Sequence, residues 1–457
     1  MPSIEQKILS GGVKVVLVTD KNFKRNTASI CFDIGRNTTT HREFSALHIL
    51  EHLILEGNDD HPSPQEQLFK NNSEVNGEVN NEVIRFWITA RQDDFYDNLE
   101  ILSRLILKPT LNDLRLSQEK KVLAEELQEG LQSIEVVIGQ RIEATLWPNS
   151  MYGQLEQAYE SIQEITLEDL ERVEQKLTKE SKVLIILAGD FDKNRTLRLI
   201  ERYWGSLKVQ LAVKQDKLEL AANLPQLSVI PTNFDQSICQ IAYGYQKETE
   251  DRRTVALGLL NAYLSHPGLG LLTTELREKR KLVYSAQSWL EPSRTRGSFM
   301  IDTKFNNQKT KELTATLFEL INRLEEGGVD KEKFEHIRIS LIAALDEDSS
   351  EPEFWVYFLE STGLLDKDVT KDFDNYREIL QELTATEVVK EAKILFQPKN
   401  LVIVVAGPYM PYEVEELKKY LLEILGTNVG CDTQTERYIS WSRGVAARIR
   451  SLFGRKK

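Results

Sequence analysis

Apolar and polar positions alternate in "ASICFDI" (28–34) and "QSICQIAYGY" (236–245), and apolar residues run unbroken in "VLIILA" (183–188) and "LVIVVA" (401–406). Alternation predicts half-buried strands, and short unbroken runs predict strands buried on both sides. Two other stretches carry a helical spacing instead: "HREFSALHILEHLILEG" (41–57) and "LSQEKKVLAEELQEG" (116–130). Strands interleaved with long helices predict an α+β or α/β layer fold, with helices on one face of a sheet.

The pattern occurs twice. "ITLEDL" (165–170) followed by "KVLIILAGDFD" (182–192) has its counterpart in "LTATEV" (383–388) followed by "NLVIVVAGPYM" (400–410), and Thr166 and Thr384, Ala188 and Ala406, Gly189 and Gly407 all share a spacing of 218. "SIC" recurs at 29–31 and 237–239, a spacing of 208, so the halves differ by insertions while keeping one order. Each repeat is the size of a domain rather than of a solenoid unit. The expected division is a first domain over 1–208, a polar linker over 209–227, a second domain over 228–436 and a basic tail over 437–457.

Charge and cysteine usage narrow the functional classes. With 457 residues and a net charge of −13, the chain has no bulk positive field for phosphates, which argues against nucleic acid as a partner. Its three cysteines, Cys31, Cys239 and Cys431, are far apart and form no CxxC pair, a usage that fits a reducing compartment. The start, "MPSIEQKILSGG", reaches a Gly-Gly turn before a signal-length apolar run, and the strand-sized apolar runs elsewhere fall short of the roughly 18 residues a membrane helix needs. A cytoplasmic location is expected.

The chemistry concentrates at His48, Glu51 and His52. Helical positions i and i+4 share a face, so both imidazoles point at one spot, with the Glu51 carboxylate beside it. This is the metallopeptidase pattern H-E-x-x-H in reverse: two neutral imidazoles for Zn2+ and a glutamate to serve as general base toward a metal-activated water. The competing reading, histidines satisfied inside a core helix, is weakened by the chain's having only six histidines. A catalytic zinc usually takes a third protein ligand. In "LSQEKKVLAEELQEG", Glu119 and Glu126 lie seven apart on the face that carries Val122 and Leu123, whereas Glu125 and Glu129 lie on a neighbouring one. That face should point inward, which selects Glu126 as ligand and Glu119 as an acid that orients a ligand or holds a proton. Without the histidines, the same run would read as a solvated acidic face.

These residues resemble the pitrilysin or insulinase family of inverted-motif zinc peptidases over nearly the whole chain. In that resemblance "HILEH" is the metal helix, with ligands His48 and His52 and base Glu51, and "EKKVLAEEL" again selects Glu126 as third ligand. "EVNGEVNNEVIRFWITA" (74–90) is similar to the family's substrate-holding edge strand, which puts Asn76 and Gly77 at substrate-binding positions. "LLTTELREKRKLVYSAQSW" (271–289) is similar to the segment whose Arg and Tyr bind substrate and stabilise the oxyanion, which assigns those roles to Arg277 and Tyr284. "TVALGLLNAYL" (254–264) stands where a second metal helix would be, without histidine or acid. The sequence departs from the pattern at Leu47, where a small residue is usual, and at "GNDDHP" (57–62), which leaves substrate preference open.

The resemblance implies two homologous α+β domains of the processing-peptidase type, each a mostly antiparallel sheet covered by helices on one face and together half of a clamshell. It implies a zinc endopeptidase that hydrolyses unfolded peptides or a precursor or leader peptide inside a dimeric chamber. The partner would be a second copy or a paralogous subunit, with Arg277 and Tyr284 completing the site of the opposite chain. The rival reading is a non-catalytic scaffold, or a partner subunit of a heterodimeric peptidase. From Arg437 to Lys457 there are seven basic residues and no acid, interleaved with Trp441, Val445, Ile449, Leu452 and Phe453. Contact of this tail with a membrane surface or an acidic partner is the lesser reading beside a solvated C-terminus.

Overall fold

A computed structural model describes residues 1–61, 64, 66, 68, 72–148, 150–151, 160–208, 218–247, 251–364 and 368–432. The basic tail at 437–457 and residues 209–217 of the expected linker lie outside them. The strands are β1 (Ser3–Ile8), β2 (Lys14–Thr19), β3 (Arg25–Phe32), β4 (Glu74–Val79), β5 (Ile84–Arg91), β6 (Val183–Gly189), β7 (Gln226–Pro231), β8 (Ser237–Gln246), β9 (Val283–Pro292), β10 (Arg296–Phe305), β11 (Leu401–Gly407) and β12 (Gly430–Asp432). The helices in the first part of the chain are α1 (His41–Glu56), α2 (Phe95–Leu107), α3 (Asp113–Gln132), α4 (Ile134–Leu146), α5 (Leu167–Gln175) and α6 (Lys193–Trp204). Those that follow are α7 (Asp251–Ser265), α8 (Thr310–Glu325), α9 (Lys331–Asp348), α10 (Pro352–Gly363), α11 (Asp372–Glu382), α12 (Ala385–Leu395) and α13 (Pro411–Leu425).

The strands form two six-stranded sheets, ordered β1-β2-β6-β3-β5-β4 and β12-β7-β11-β8-β10-β9. From the second strand to the last, the two orders match one for one. Each sheet is mostly antiparallel, with its parallel pairing on one side, β2 with β6 in the first and β7 with β11 and β12 in the second. The fold class is therefore α+β with two homologous sheets, as expected. The repeated Thr166 and Thr384 have a common cause: each caps a helix, accepting from the backbone N–H of Asp169 or Glu387 three residues on.

Every residue of β6 and of β11 is buried, so both faces of each sheet need cover. The expectation of helices on one face of each sheet is corrected here: besides the main helical layer, each sheet receives helical cover on its other face, because its central strand is buried on both sides. In the first, Trp355, Val356 and Leu359 of α10 pack on Val16, Val18, Cys31, Leu184, Ile186 and Ala188. In the second, Val137, Ile138, Ile142 and Leu146 of α4 pack against Ile238, Ala242, Met300, Val402, Val404 and Ala406. Fully burying a side chain of this size is worth about 1.5–3 kcal/mol. The sources are crossed: α10 follows β7–β10 of the second sheet in sequence, and α4 follows β5 of the first sheet. The two compact units are accordingly discontinuous, 1–127 with 154–216 and 343–375, and 128–153 with 217–342 and 376–457.

The register also resolves the "SIC" repeat. Ala188 pairs with Thr27, and Ala406 pairs with Ile238, so the strands β3 and β8 correspond at a spacing of 211, not 208. Cys31 packs under α10, whereas Cys239 packs in the main core with α7 and α8. The shared tripeptide is a coincidence of composition on opposite faces, because a one-residue change of phase turns every side chain over.

Candidate metal centre

Helix α1 starts at a capping box in which Thr40 Oγ1 accepts from Glu43 N at 3.2 Å and Glu43 Oε2 accepts from Thr40 N at 2.9 Å. Phe44, Leu47, Leu50, Leu53 and Ile54 turn inward and are buried. That orientation leaves His48 and His52 on a half-buried stripe, their ring centroids 4.9 Å apart and their planes at 80°. Arg42, in the first turn, donates to Asp169 Oδ2 at 2.6 and 3.0 Å, tying the start of α1 to α5.

Helix α3 presents its glutamates to that stripe. One donor atom each from His48, His52 and Glu126 lies within 4.8 Å of the others, and among the described residues this is the group of three such side chains able to hold an ion. Glu126 Oε2 is 3.9 Å from His48 Nε2 and 3.7 Å from His52 Nε2, and Glu51 Oε2 is 3.8 Å from both. A tetrahedral zinc with ligand distances of about 2.0–2.2 Å sets its donors about 3.3–3.6 Å apart. The imidazole-to-Glu126 distances exceed that span by a few tenths of an ångström, within reach of small side-chain rotations. Two nitrogens and a carboxylate are also the donor types of a catalytic zinc, so the residues fit the ion.

Glu119 is buried, and its Oε2 lies 2.8 Å from His52 Nδ1. A carboxylate held ionised only accepts, so a neutral His52 ring carries its proton on Nδ1 and turns the Nε2 lone pair toward the metal position. Burial, with the neighbouring His52 and Arg36 charges, lowers the His48 pKa to about 4, so this ring is neutral at pH 7. Burial also pulls the His52 pKa down, but the Glu119 hydrogen bond and the Glu51 and Glu126 carboxylates outweigh it and the net shift is upward. The Glu51 carboxyl is pushed up to about 7, mainly by burial, and the carboxylates of Glu126, Glu78 and Glu119 add to the effect against His52.

Strand β4 ends the first sheet beside this group. A Cβ at Gly77 would stand 2.6 Å from Glu51 Oε1, so glycine leaves the space that the Glu51 carboxylate fills. Asn76 Oδ1 accepts from Gly77 N at 2.9 Å. Arg277 and Tyr284 belong to the second unit, and both are exposed. Arg277 sits on the wide helical turn Thr273–Lys279. Tyr284 is the extra residue of a β-bulge in the edge strand β9, because Lys304 pairs with Ser285 and Phe305 with Val283. Two side chains that brace the end of α1 below the site went unpredicted, Arg115 and Glu56. The available signal was spacing: Arg115 stands four before Glu119 and eleven before Glu126, on the same helical stripe.

Residues 14–179 match the family model described as insulinase (peptidase family M16), and residues 164–341 match the model described as peptidase M16 inactive domain. The chain is 21% identical over 210 residues to cytochrome b-c1 complex subunit 1 of Homo sapiens, covering 45% of this chain and 44% of that protein. To the Rattus norvegicus mitochondrial-processing peptidase subunit beta it is 22% identical over 259 residues, covering 52% and 53%. The matches thus span about half the length of these curated relatives. A protease from Helicobacter pylori superposes with a TM-score of 0.80 at 17% identity, covering 89% of this chain and 100% of that one. An M16 inactive domain from Pseudomonas fluorescens gives 0.78 at 18%, covering 89% and 98%. These two likenesses show a common fold. The histidine pair falls within the first matched region, and the region matching the inactive type contains α7, which has no histidine.

Proposed function

From the chain's membership of the insulinase, or peptidase M16, family, we propose that it is a zinc-dependent endopeptidase acting on unfolded peptides or on a precursor or leader peptide. The convergence of His48 Nε2, His52 Nε2 and Glu126 Oε2 beside buried Glu51 carries this reading. A zinc ion bound there supplies Lewis acidity to a carbonyl oxygen and makes a water more acidic. Glu51 accepts the proton of the attacking water and delivers it to the leaving amine. Its raised pKa keeps both protonation states accessible near neutrality, and a bound cation acts in the opposite sense.

Asn76 and Gly77, at the edge of the sheet, align an extended peptide by main-chain pairing. Arg277 and Tyr284 present a cation and a phenol to the developing oxyanion, with the pair supplied by a second chain, either another copy or a paralogue. Mixing Glu51→Gln chains with Arg277→Ala chains, each inactive alone, should restore activity; a mixture that stays inactive overturns the shared site.

A second reading, a scaffold or non-catalytic partner subunit, is favoured by the match to a cytochrome b-c1 subunit and by the inactive-type match over 164–341. The peptidase reading requires about one zinc per chain, lost in His52→Ala. It also requires cleavage of a peptide library by the purified protein that chelator abolishes. A metal-free wild-type chain, or cleavage indifferent to chelator, selects against it.

A further inference from the structure

Helix α1 has no basic residue in its last turn and ends at Gly57 with φ 116°. Its terminal carbonyls are met from α3 instead. Arg115 donates to Leu53 O at 3.1 Å, to Gly57 O at 2.8 Å and to Glu56 Oε2 at 2.9 and 3.1 Å. A further bond reaches Thr110 O at 3.1 Å, on the segment leading into α3. All five guanidinium N–H groups therefore have acceptors, and the side chain is 18% exposed. Such a fork is a rigid connector rather than a loose surface ion pair.

The contact is the lowest rung of an antiparallel ladder. Arg115 meets Glu56, Glu119 meets His52, and Glu126 meets His48 and His52, so ascending positions of α3 match descending positions of α1. A shift of α3 along or about its axis would move Glu119 and Glu126 together, since they share one helical stripe.

We propose that Arg115 is a positioning residue that fixes the register of α3 against α1, so that Glu119 and Glu126 arrive at the histidines. The inference rests on the zinc reading above. Its test measures metal binding rather than turnover: zinc affinity by chelator competition, the visible absorption of the Co2+-substituted chain, and the melting temperature of the metal-free form. Arg115→Gln should weaken zinc about 10- to 100-fold, the range for partners that orient metal ligands, and reduce the intensity of the Co2+ bands. Arg115→Lys keeps the charge but not the five-bond fork, so it should remain weakened, and it serves where Arg115→Gln does not fold. Arg104→Gln removes bonds to Glu100 and Tyr203 in the same unit and should lower the melting temperature while leaving zinc affinity within twofold. Affinity within twofold of wild type in the foldable Arg115 variant, with an unchanged Co2+ spectrum, overturns the role of Arg115 alone. A wild-type chain that binds neither ion overturns the peptidase reading and this inference with it.

Discussion

The edge of the first sheet and the edge of the second are built on one register and finished with different chemistry. Gly77 pairs with Phe86, Phe86 with Ile30, and Ile30 with Ile185; Ser288 pairs with Ile301, Ile301 with Ile241, and Ile241 with Ile403. Gly77 and Ser288 thus occupy the same place on the last strand, facing the helix that follows β3 or β8. Opposite Gly77 stands Glu51, with its carboxylate 3.8 Å from two imidazoles, beyond hydrogen-bond reach. Opposite Ser288 stand Asn261 and Ser265, each with an oxygen 2.7 Å from the serine Oγ. One edge satisfies its own polar groups and closes strand to helix. The other brings two imidazoles and two carboxylates near one another, the donor set that the proposed zinc reading requires. The two edges differ by a handful of side chains, while the scaffold is common to both.

On the peptidase reading, the largest effect should come from removing the proposed base, Glu51. Glu51→Gln should leave the shape of α1 and the zinc stoichiometry unchanged and lower kcat about 10²- to 10⁴-fold, the usual contribution of a general base. Peptide turnover with zinc content measured on the same sample checks it, and turnover within tenfold of wild type would move the base elsewhere. Gly77→Ser then imports the second sheet's residue into the first. Its Cβ would meet Glu51 Oε1 at 2.6 Å, so the carboxylate must shift. Misplacement by about 1 Å costs on the order of 10²-fold in rate, expected here in kcat with zinc stoichiometry unchanged. A fully active Gly77→Ser would show that the glycine is not what separates the two edges.

Much of this contrast was legible in the chain, for identifiable reasons. The i, i+4 histidines and the seven-residue spacing of Glu119 and Glu126 are helical facts, and the structure brings His48, His52 and Glu126 together around one point, with Glu119 behind His52. Thr166 and Thr384, with their acids three residues on, expose the repeat because capping boxes are local. Non-local packing was hidden. An amphipathic pattern in 134–146 or 352–363 announces one buried face but not which sheet it covers, and both helices cover the other half's. Arg115 and Glu56 drew no expectation from the sequence, since only the docking of α3 on α1 puts carbonyls within reach of the fork. The "SIC" match misled for a related reason: identity in three letters carries no face.

The capping boxes allow a pH comparison of the two halves. At Asp169, burial raises the carboxyl pKa, but hydrogen bonds from Arg42 and Thr166 outweigh it and bring the group to about 2. Its counterpart Glu387 is also lowered, first by Thr384, but it is more exposed. A folded pKa below the unfolded value gives stability that is present above about pH 4 and lost as pH falls toward 2. Wild type should therefore exceed Asp169→Asn by up to about 2 kcal/mol at pH 7, with the gap closing between about pH 4 and pH 2. Urea melts at pH 7, 4 and 2.5 check the sign; a gap independent of pH would assign the effect to packing.

The smallest effect sharpens the comparison most. Ser288→Ala deletes the hydroxyl between Asn261 and Ser265 and leaves the Asn261 carbonyl oxygen without that donor in a half-buried place. The expected cost is about 1 kcal/mol, or roughly 2–4 °C in the melting temperature of a unit this size. Zinc content, kcat and KM should all stay at wild-type values, because the knot lies in the unit that does not hold His48, His52 and Glu126. A KM that rises while melting changes little would mean that β9, whose bulge displays Tyr284, holds peptide as well as structure. The second edge would then be a working surface of the proposed peptidase rather than an inert copy of the first.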